Sequence, residues 1–127
     1  MAIQCERIKK TIAALAAYGA LPDGGTTRLS YTPEYLAAQE FLKQEMLAAG
    51  MLTEIDPIGN LICSYVGSSP ELPAVMSGSH LDTVPGGGNF DGALGIAAAL
   101  ECVRSWQEEG YWPKRTVQVI ATVEEEC

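Results

Sequence analysis

Residues 73–82 read PAVMSGSHLD, and the rest of the fold can be read outward from them. The apolar run from Pro73 to Ser77 has the length and continuity of a strand covered on both faces. It places His80, the only histidine, just past the carboxyl end of that strand. After Val84 comes Pro85-Gly86-Gly87-Gly88, a loop with few side chains that lets backbone pass close to a ligand or another loop. Asp91-Gly92 then opens a helix predicted over 93–109, Trp112-Pro113 ends the connection, and Thr116–Val123 reads as the next buried strand. Glu124, Glu125 and Glu126 follow it directly. In open α/β sheets, sites collect outside the carboxyl ends of strands, and both clusters of ionisable side chains lie there.

Upstream, Ile8, Ile12, Leu15 and Ala16 fall at helical spacing over 6–18, and Gly19 ends the pattern. Residues 21–30 form a loop rich in Gly, Thr and Asp. Thr32 as N-cap and Pro33 in the first turn start a second helix that runs to Ala49 and stops at Gly50. Met51–Ile55 and Leu61–Val66 are β-prone runs around Asp56-Pro57-Ile58-Gly59-Asn60, the pattern of a hairpin. The expected fold class is α/β: a three-layer unit with helices 6–18, 33–49 and 93–109 packed on a central sheet. Thr116–Val123 is expected to leave an exposed edge prone to self-association.

With 127 residues, 47% of them hydrophobic, the chain suffices for one domain with a real core. Sixteen acidic residues against eight basic ones give a net charge of −8, and no Lys/Arg stripe follows a phosphate backbone, so nucleic acid is excluded as a partner. The four cysteines show no CxxC spacing, and no secretory leader pattern opens the chain, which reads as cytoplasmic with reduced thiols. No apolar stretch approaches the roughly 20 residues that span a bilayer, so no membrane association is expected. The alanine-rich run 93–100 reads as a buried helix.

A divalent ion that activates water needs neutral imidazole and anionic carboxylates, and His80, Asp91 and one of the glutamates supply those types. Two ions about 3.5–4 Å apart need a bridging carboxylate, for which Asp91 at the helix start is best placed. A second glutamate beside a ligand glutamate can act as general base. Asp82 lies close enough in sequence to orient the imidazole. Taken singly, His80 reads as a hydrogen-bonded loop residue, Asp91 as an N-cap and the glutamates as a solvated strand end. Gathered at the ends of two apolar strands and one helix, they favour a metal site. A glutamate triplet after a buried strand is costly unless exposed or bound to a cation.

Gly78-Ser79-His80-Leu81-Asp82-Thr83-Val84, Gly87-Gly88-Asn89-Phe90-Asp91-Gly92 and Val123-Glu124-Glu125-Glu126 together resemble the N-terminal catalytic part of the M20-type metallo-amidohydrolases. The resemblance is strongest to the branch of N-carbamoyl-L-amino acid hydrolases, β-ureidopropionases and allantoate amidohydrolases, and it extends through Thr27-Arg28, Glu34–Gly50 and Gly59-Asn60. It implies a partial catalytic domain of a binuclear metallohydrolase over 1–127. His80 would ligate the first of two divalent ions, Asp91 would bridge them, Glu126 would ligate the second, Glu125 would be the general base, and Asp82 would orient His80. Zinc, manganese and cobalt all accept such a donor set. The implied substrate is a small carbamoyl or ureido acid, and the implied parent enzyme is a homodimer. Members of the family carry glycine where Cys127 stands, and they add a lid or dimerisation domain and further histidines downstream. The 127 residues alone are therefore expected to bind metal weakly and turn over little. The rival readings are an aminoacylase or dipeptidase of the same superfamily, and a non-catalytic interaction module.

Overall fold

The computed structural model describes residues 2–126. Seven elements follow in order: α1 (Cys5–Ala16), α2 (Pro33–Ala48), β1 (Leu52–Ile55), β2 (Leu61–Tyr65), β3 (Val75–His80), α3 (Ala93–Glu109) and β4 (Val117–Thr122). The strands form one mixed sheet in the order β1-β2-β4-β3. β1 and β2 make the expected antiparallel hairpin, and β2 pairs antiparallel with β4. β3 runs parallel to β4, from Val75 opposite Val117 to His80 opposite Thr122. Parallel neighbours need a crossover, and α3 supplies it.

Local chemistry accounts for the boundaries. The Thr32 hydroxyl accepts the Tyr35 N–H at 3.3 Å and Pro33 occupies the first turn of α2, as the sequence predicts. Gly110, in the left-handed conformation, closes α3. Within β3, a Cβ on Gly78 would lie 2.0 Å from the Ile120 carbonyl oxygen, so only glycine lets β3 approach β4 there.

Alternate residues of the inner strands, Leu61, Cys63 and Tyr65 on β2 with Val119 and Ala121 on β4, share one core with Leu15 of α1, Tyr35, Leu42 and Met46 of α2, and Ile96, Leu100 and Val103 of α3. α2 covers β1 and β2, α3 covers β3 and β4, and α1 lies on α3. The α/β class with helices packed on a central sheet is borne out. Burial pushes the Cys63 thiol up to about 12, which keeps it an inert core residue. Cys5, Cys63 and Cys102 are free thiols, and Cys127 lies outside the described residues. No helix among the described residues is long and apolar enough to cross a membrane.

Two strand expectations are corrected. β3 is not covered on both faces: it begins at Val75 on the sheet's edge, and Val75 and Met76 are each 52% exposed. A short apolar run reports composition but not the number of neighbours. β4, expected at an edge, is interior because the β1–β2 hairpin occupies its other side.

Arg7 ties the N-terminal helix to α3 through ion pairs with Glu101 and Glu108. Glu101 is fully buried, accepts from Arg7 Nε and Nη2 at 2.9 and 2.8 Å, and accepts the Gln4 N–H at 2.8 Å. Burial pushes the Glu101 carboxyl up, but the hydrogen bonds from Arg7 and Gln4 outweigh it and hold the group below the ordinary carboxylate range. A depressed folded-state value contributes stability that is present above the unfolded value of about 4.3 and lost as pH falls through the folded one. Melting temperatures of the chain and of Glu101→Gln should therefore differ most near pH 7 and converge as pH falls below about 4. A gap that stays constant across that range would contradict this account.

Candidate metal centre

Because β3 and β4 are parallel neighbours, their carboxyl ends lie side by side, bringing His80 beside the glutamates that follow β4. α3 begins at the same end and contributes Asp91 from the residue before its N-cap. His80 is 8% exposed, and its Nδ1 lies 2.9 Å from the Asp82 main-chain carbonyl oxygen. A carbonyl only accepts, so Nδ1 carries the proton and the lone pair of Nε2 points outward. Nε2 faces three carboxylates: Asp91 Oδ2 at 3.8 Å, Glu125 Oε2 at 3.9 Å and Glu126 Oε1 at 3.7 Å. An acceptor surrounded by acceptors is an unfavourable arrangement unless a cation lies among them.

The donor set fits a divalent ion. Donor atoms of His80, Asp91 and Glu126 all lie within 4.8 Å of one another. Ligand bonds of about 2.0–2.2 Å place neighbouring tetrahedral ligands about 3.3–3.6 Å apart, slightly closer than the separations around Nε2. The Glu126 carboxyl is held above the ordinary range, first by a hydrogen bond with Asp91, then by desolvation and by the Asp91 charge, with His80 opposing. That is the response of carboxylates crowded onto one another.

Asp82 acts through two groups. Its carbonyl orients His80, while its buried carboxylate accepts the Glu126 N–H on Oδ2 at 2.9 Å. Oδ1 has no hydrogen-bond partner among the described residues and lies 3.9 Å from His80 Nδ1. The expected contact between Asp82 and His80 is present, but the main chain makes its hydrogen bond. Asp91 is not a helix cap: Gly92 occupies the N-cap position with φ 69°, and the Asp91 side chain is 73% exposed on the His80 side.

Residues to which the sequence assigned no role hold the frame. Arg28, 3% exposed, donates from Nε to the Leu81 carbonyl at 2.8 Å and from Nη1 to those of Leu15 and Tyr18 at 2.7 and 3.2 Å. Thr83 and Arg28 exchange two further hydrogen bonds, the Arg28 N–H to Thr83 Oγ1 at 2.9 Å and the Thr83 N–H to the Arg28 carbonyl at 3.0 Å. The glycine loop is docked by the paired main chains of Thr26 and Gly87 and by Thr26 Oγ1 on Asn89 Oδ1 at 2.6 Å. Past β4, the Val123 N–H donates to Asn60 Oδ1 and the Glu124 N–H to Ser30 Oγ, each at 3.0 Å. The sequence offered a hairpin turn at Asp56-Pro57-Ile58-Gly59-Asn60 and family motifs that include Arg28, Thr83 and Asn89, but no role for any of these side chains.

A family model described as Peptidase family M28 matches residues 60–127. The chain belongs to peptidase family M28. It is 46% identical to an N-carbamoyl-L-amino-acid amidohydrolase of Paenarthrobacter aurescens, over 97% of this chain and 30% of the relative. It is 43% identical to an allantoate amidohydrolase of Escherichia coli (strain K12), over 95% of this chain and 29% of the relative. A crystal structure of an amidase of the hydantoinase/carbamoylase family from Burkholderia multivorans superposes with a TM-score of 0.95 at 30% identity, covering 98% of this chain and 30% of that one. The chain thus spans about 30% of the length of the curated relatives it matches. The resemblance to carbamoyl and allantoate amidohydrolases is borne out, and the matching family model carries the M28 name.

Proposed function

We propose that the chain provides the metal-binding part of a hydrolase that cleaves the C–N bond of a carbamoyl or ureido group on a small acid. The observation that carries this reading is the His80 Nε2 lone pair, fixed by the Asp82 carbonyl and faced by Asp91, Glu125 and Glu126 within 3.9 Å. The sequence relatives named above supply the substrate class.

A bound divalent ion polarises the carbonyl and makes water acidic enough to attack at neutral pH. His80 would hold one such ion through Nε2, Glu126 would hold a second, and Asp91 would be shared between them. Zinc, manganese or cobalt suits this set. The 127 residues carry one imidazole, so a second ion held by them rests on carboxylates alone. Glu125, with a 58% exposed side chain, takes a proton from the attacking water and returns it to the leaving nitrogen. The water oxygen bonds to the carbonyl carbon as the C–N bond to the leaving amine breaks, and the carbamic acid released then splits its remaining C–N bond to give carbon dioxide and ammonia. The free thiols accord with a reducing cytoplasm.

Calorimetric titration with zinc and manganese tests the site. Asp91→Ala should weaken binding by about 100-fold or more. Zinc at 100 times the parent Kd should stabilise the parent chain by about 2.7 kcal/mol and Asp91→Ala by about 0.4 kcal/mol or less. Equal binding by both chains would sink the metal site. The substrate class is tested on the full-length protein: ammonia release from N-carbamoyl-L-amino acids or allantoate supports it, and cleavage of dipeptides alone refutes it.

A further inference from the structure

The turn between β1 and β2 carries none of the proposed ligands, yet it is built as tightly as the metal centre. Asp56 Oδ1 accepts the N–H groups of Ile58, Gly59 and Asn60 at 3.0, 2.8 and 2.9 Å, and Oδ2 accepts from Asn60 Nδ2 at 2.8 Å. Gln39 Nε2 on the Gly59 carbonyl and the Tyr31 hydroxyl on that of Ile58 fasten the turn at 2.7 and 2.8 Å. With its amide nitrogen committed to Asp56, Asn60 presents only its oxygen to the Val123 N–H. A flipped amide would set a donor against a donor.

The Val123 N–H needs that acceptor. The β2–β4 pairing ends at Leu61 opposite Ala121, so Val123 lies beyond the ladder, where its buried main chain has no strand partner. The next residue, Glu124, has φ 61°, a left-handed conformation that a non-glycine residue adopts only when its surroundings impose it. This bend directs Glu125 and Glu126 at His80. Ser30 and Asp82 secure it from the near side, and Asn60 secures the point where the chain leaves the sheet.

We infer that Asp56 and Asn60 are positioning residues: their hydrogen bonds set the exit of β4, and through it the placement of Glu125 and Glu126 against the metal. The inference rests on the metal-site reading proposed above. It predicts that Asn60→Ala weakens zinc binding about 10-fold or more, in the range seen when groups that orient ligands are removed. Asp56→Asn sets two amide nitrogens against each other, and Asn60→Asp sets two carboxylates against each other, so each alone should do the same. The double variant Asp56→Asn/Asn60→Asp exchanges donor and acceptor, restores every hydrogen bond of the turn, and should recover zinc affinity to within about 3-fold.

Zinc titration of the chain, these variants and Asp91→Ala is the test, with melting temperature and amide hydrogen exchange at Val123 and Glu124 measured alongside. Weakened binding in the single variants, recovered in the double one, supports the inference. A lowered melting temperature with unchanged zinc affinity would make the turn merely structural and overturn it. If Asp91→Ala abolishes binding while Asn60→Ala does not affect it, the positioning role fails and the metal site stands. If Asp91→Ala leaves binding intact, the metal site fails, and exchange decides whether the turn fixes the glutamate bend. Acceleration at Val123 and Glu124 in Asn60→Ala, reversed in the double variant, supports that; no acceleration overturns it.

Discussion

Gly92→Ala should abolish zinc binding and destabilise the metal-free chain by about 2–4 kcal/mol. Two independent causes act at this position. Its φ of 69° with ψ −56° is a sparsely populated combination that costs a residue with a Cβ about 1–3 kcal/mol. A Cβ there would also lie 2.4 Å from the His80 carbonyl oxygen and 2.7 Å from both Cε1 and Nδ1 of the His80 ring. None of these atoms is the far end of a flexible side chain: the carbonyl belongs to the last residue of β3, and the ring is fixed by the Asp82 carbonyl. Relief therefore moves the imidazole, Asp91 or both. Calorimetric zinc titration and thermal denaturation of Gly92→Ala check the two parts separately. Retained zinc affinity would show that His80 and Asp91 can separate without loss of the site.

Arg28→Met should cost about 2–5 kcal/mol, a drop of roughly 10–20 °C in melting temperature for a chain of this size. Methionine fills much of the volume but donates nothing, so the carbonyls of Leu15, Tyr18 and Leu81 lose their Arg28 donors in a buried setting. Burial lowers the Arg28 pKa, with the Asp82 charge opposing, and the group remains a cation at neutral pH. Arg28 joins the end of α1 to the segment between His80 and Asp82, so its loss should also weaken zinc binding through the Asp82 carbonyl. Arg28→Lys, with one point donor in place of a planar fork, should recover only part of the stability. A melting temperature within about 2 °C of the parent for Arg28→Met would contradict this account.

Both predictions concern residues whose importance was poorly legible in the one-dimensional pattern. Gly92 read only as part of a helix start and of a family motif, and Arg28 as part of a family resemblance. Each matters through atoms far along the chain or across a turn, which no periodicity records. The candidate ligand types were legible because chemistry restricts them: one histidine, an aspartate before a helix, and glutamates after an apolar strand. The second helix was legible because Thr32, Pro33 and Gly50 mark its ends by local conformational preference.

The apolar run at 73–77 was misread for the opposite reason. Its composition suits a buried strand, yet whether a strand is central or at an edge depends on how many others pair with it, and pairing is non-local. The same limit exchanged the places of β3 and β4. The sequence by itself determined the elements, their order and which side chains could bind a cation, because propensity and ligand chemistry act within a few residues. The tertiary structure alone decided that β3 and β4 are parallel neighbours, which sets His80 against the glutamates, and that Asn60, Ser30 and Asp82 hold the bend between Val123 and Glu126. Those contacts join residues 44 to 94 positions apart, and only chain packing brings such groups together.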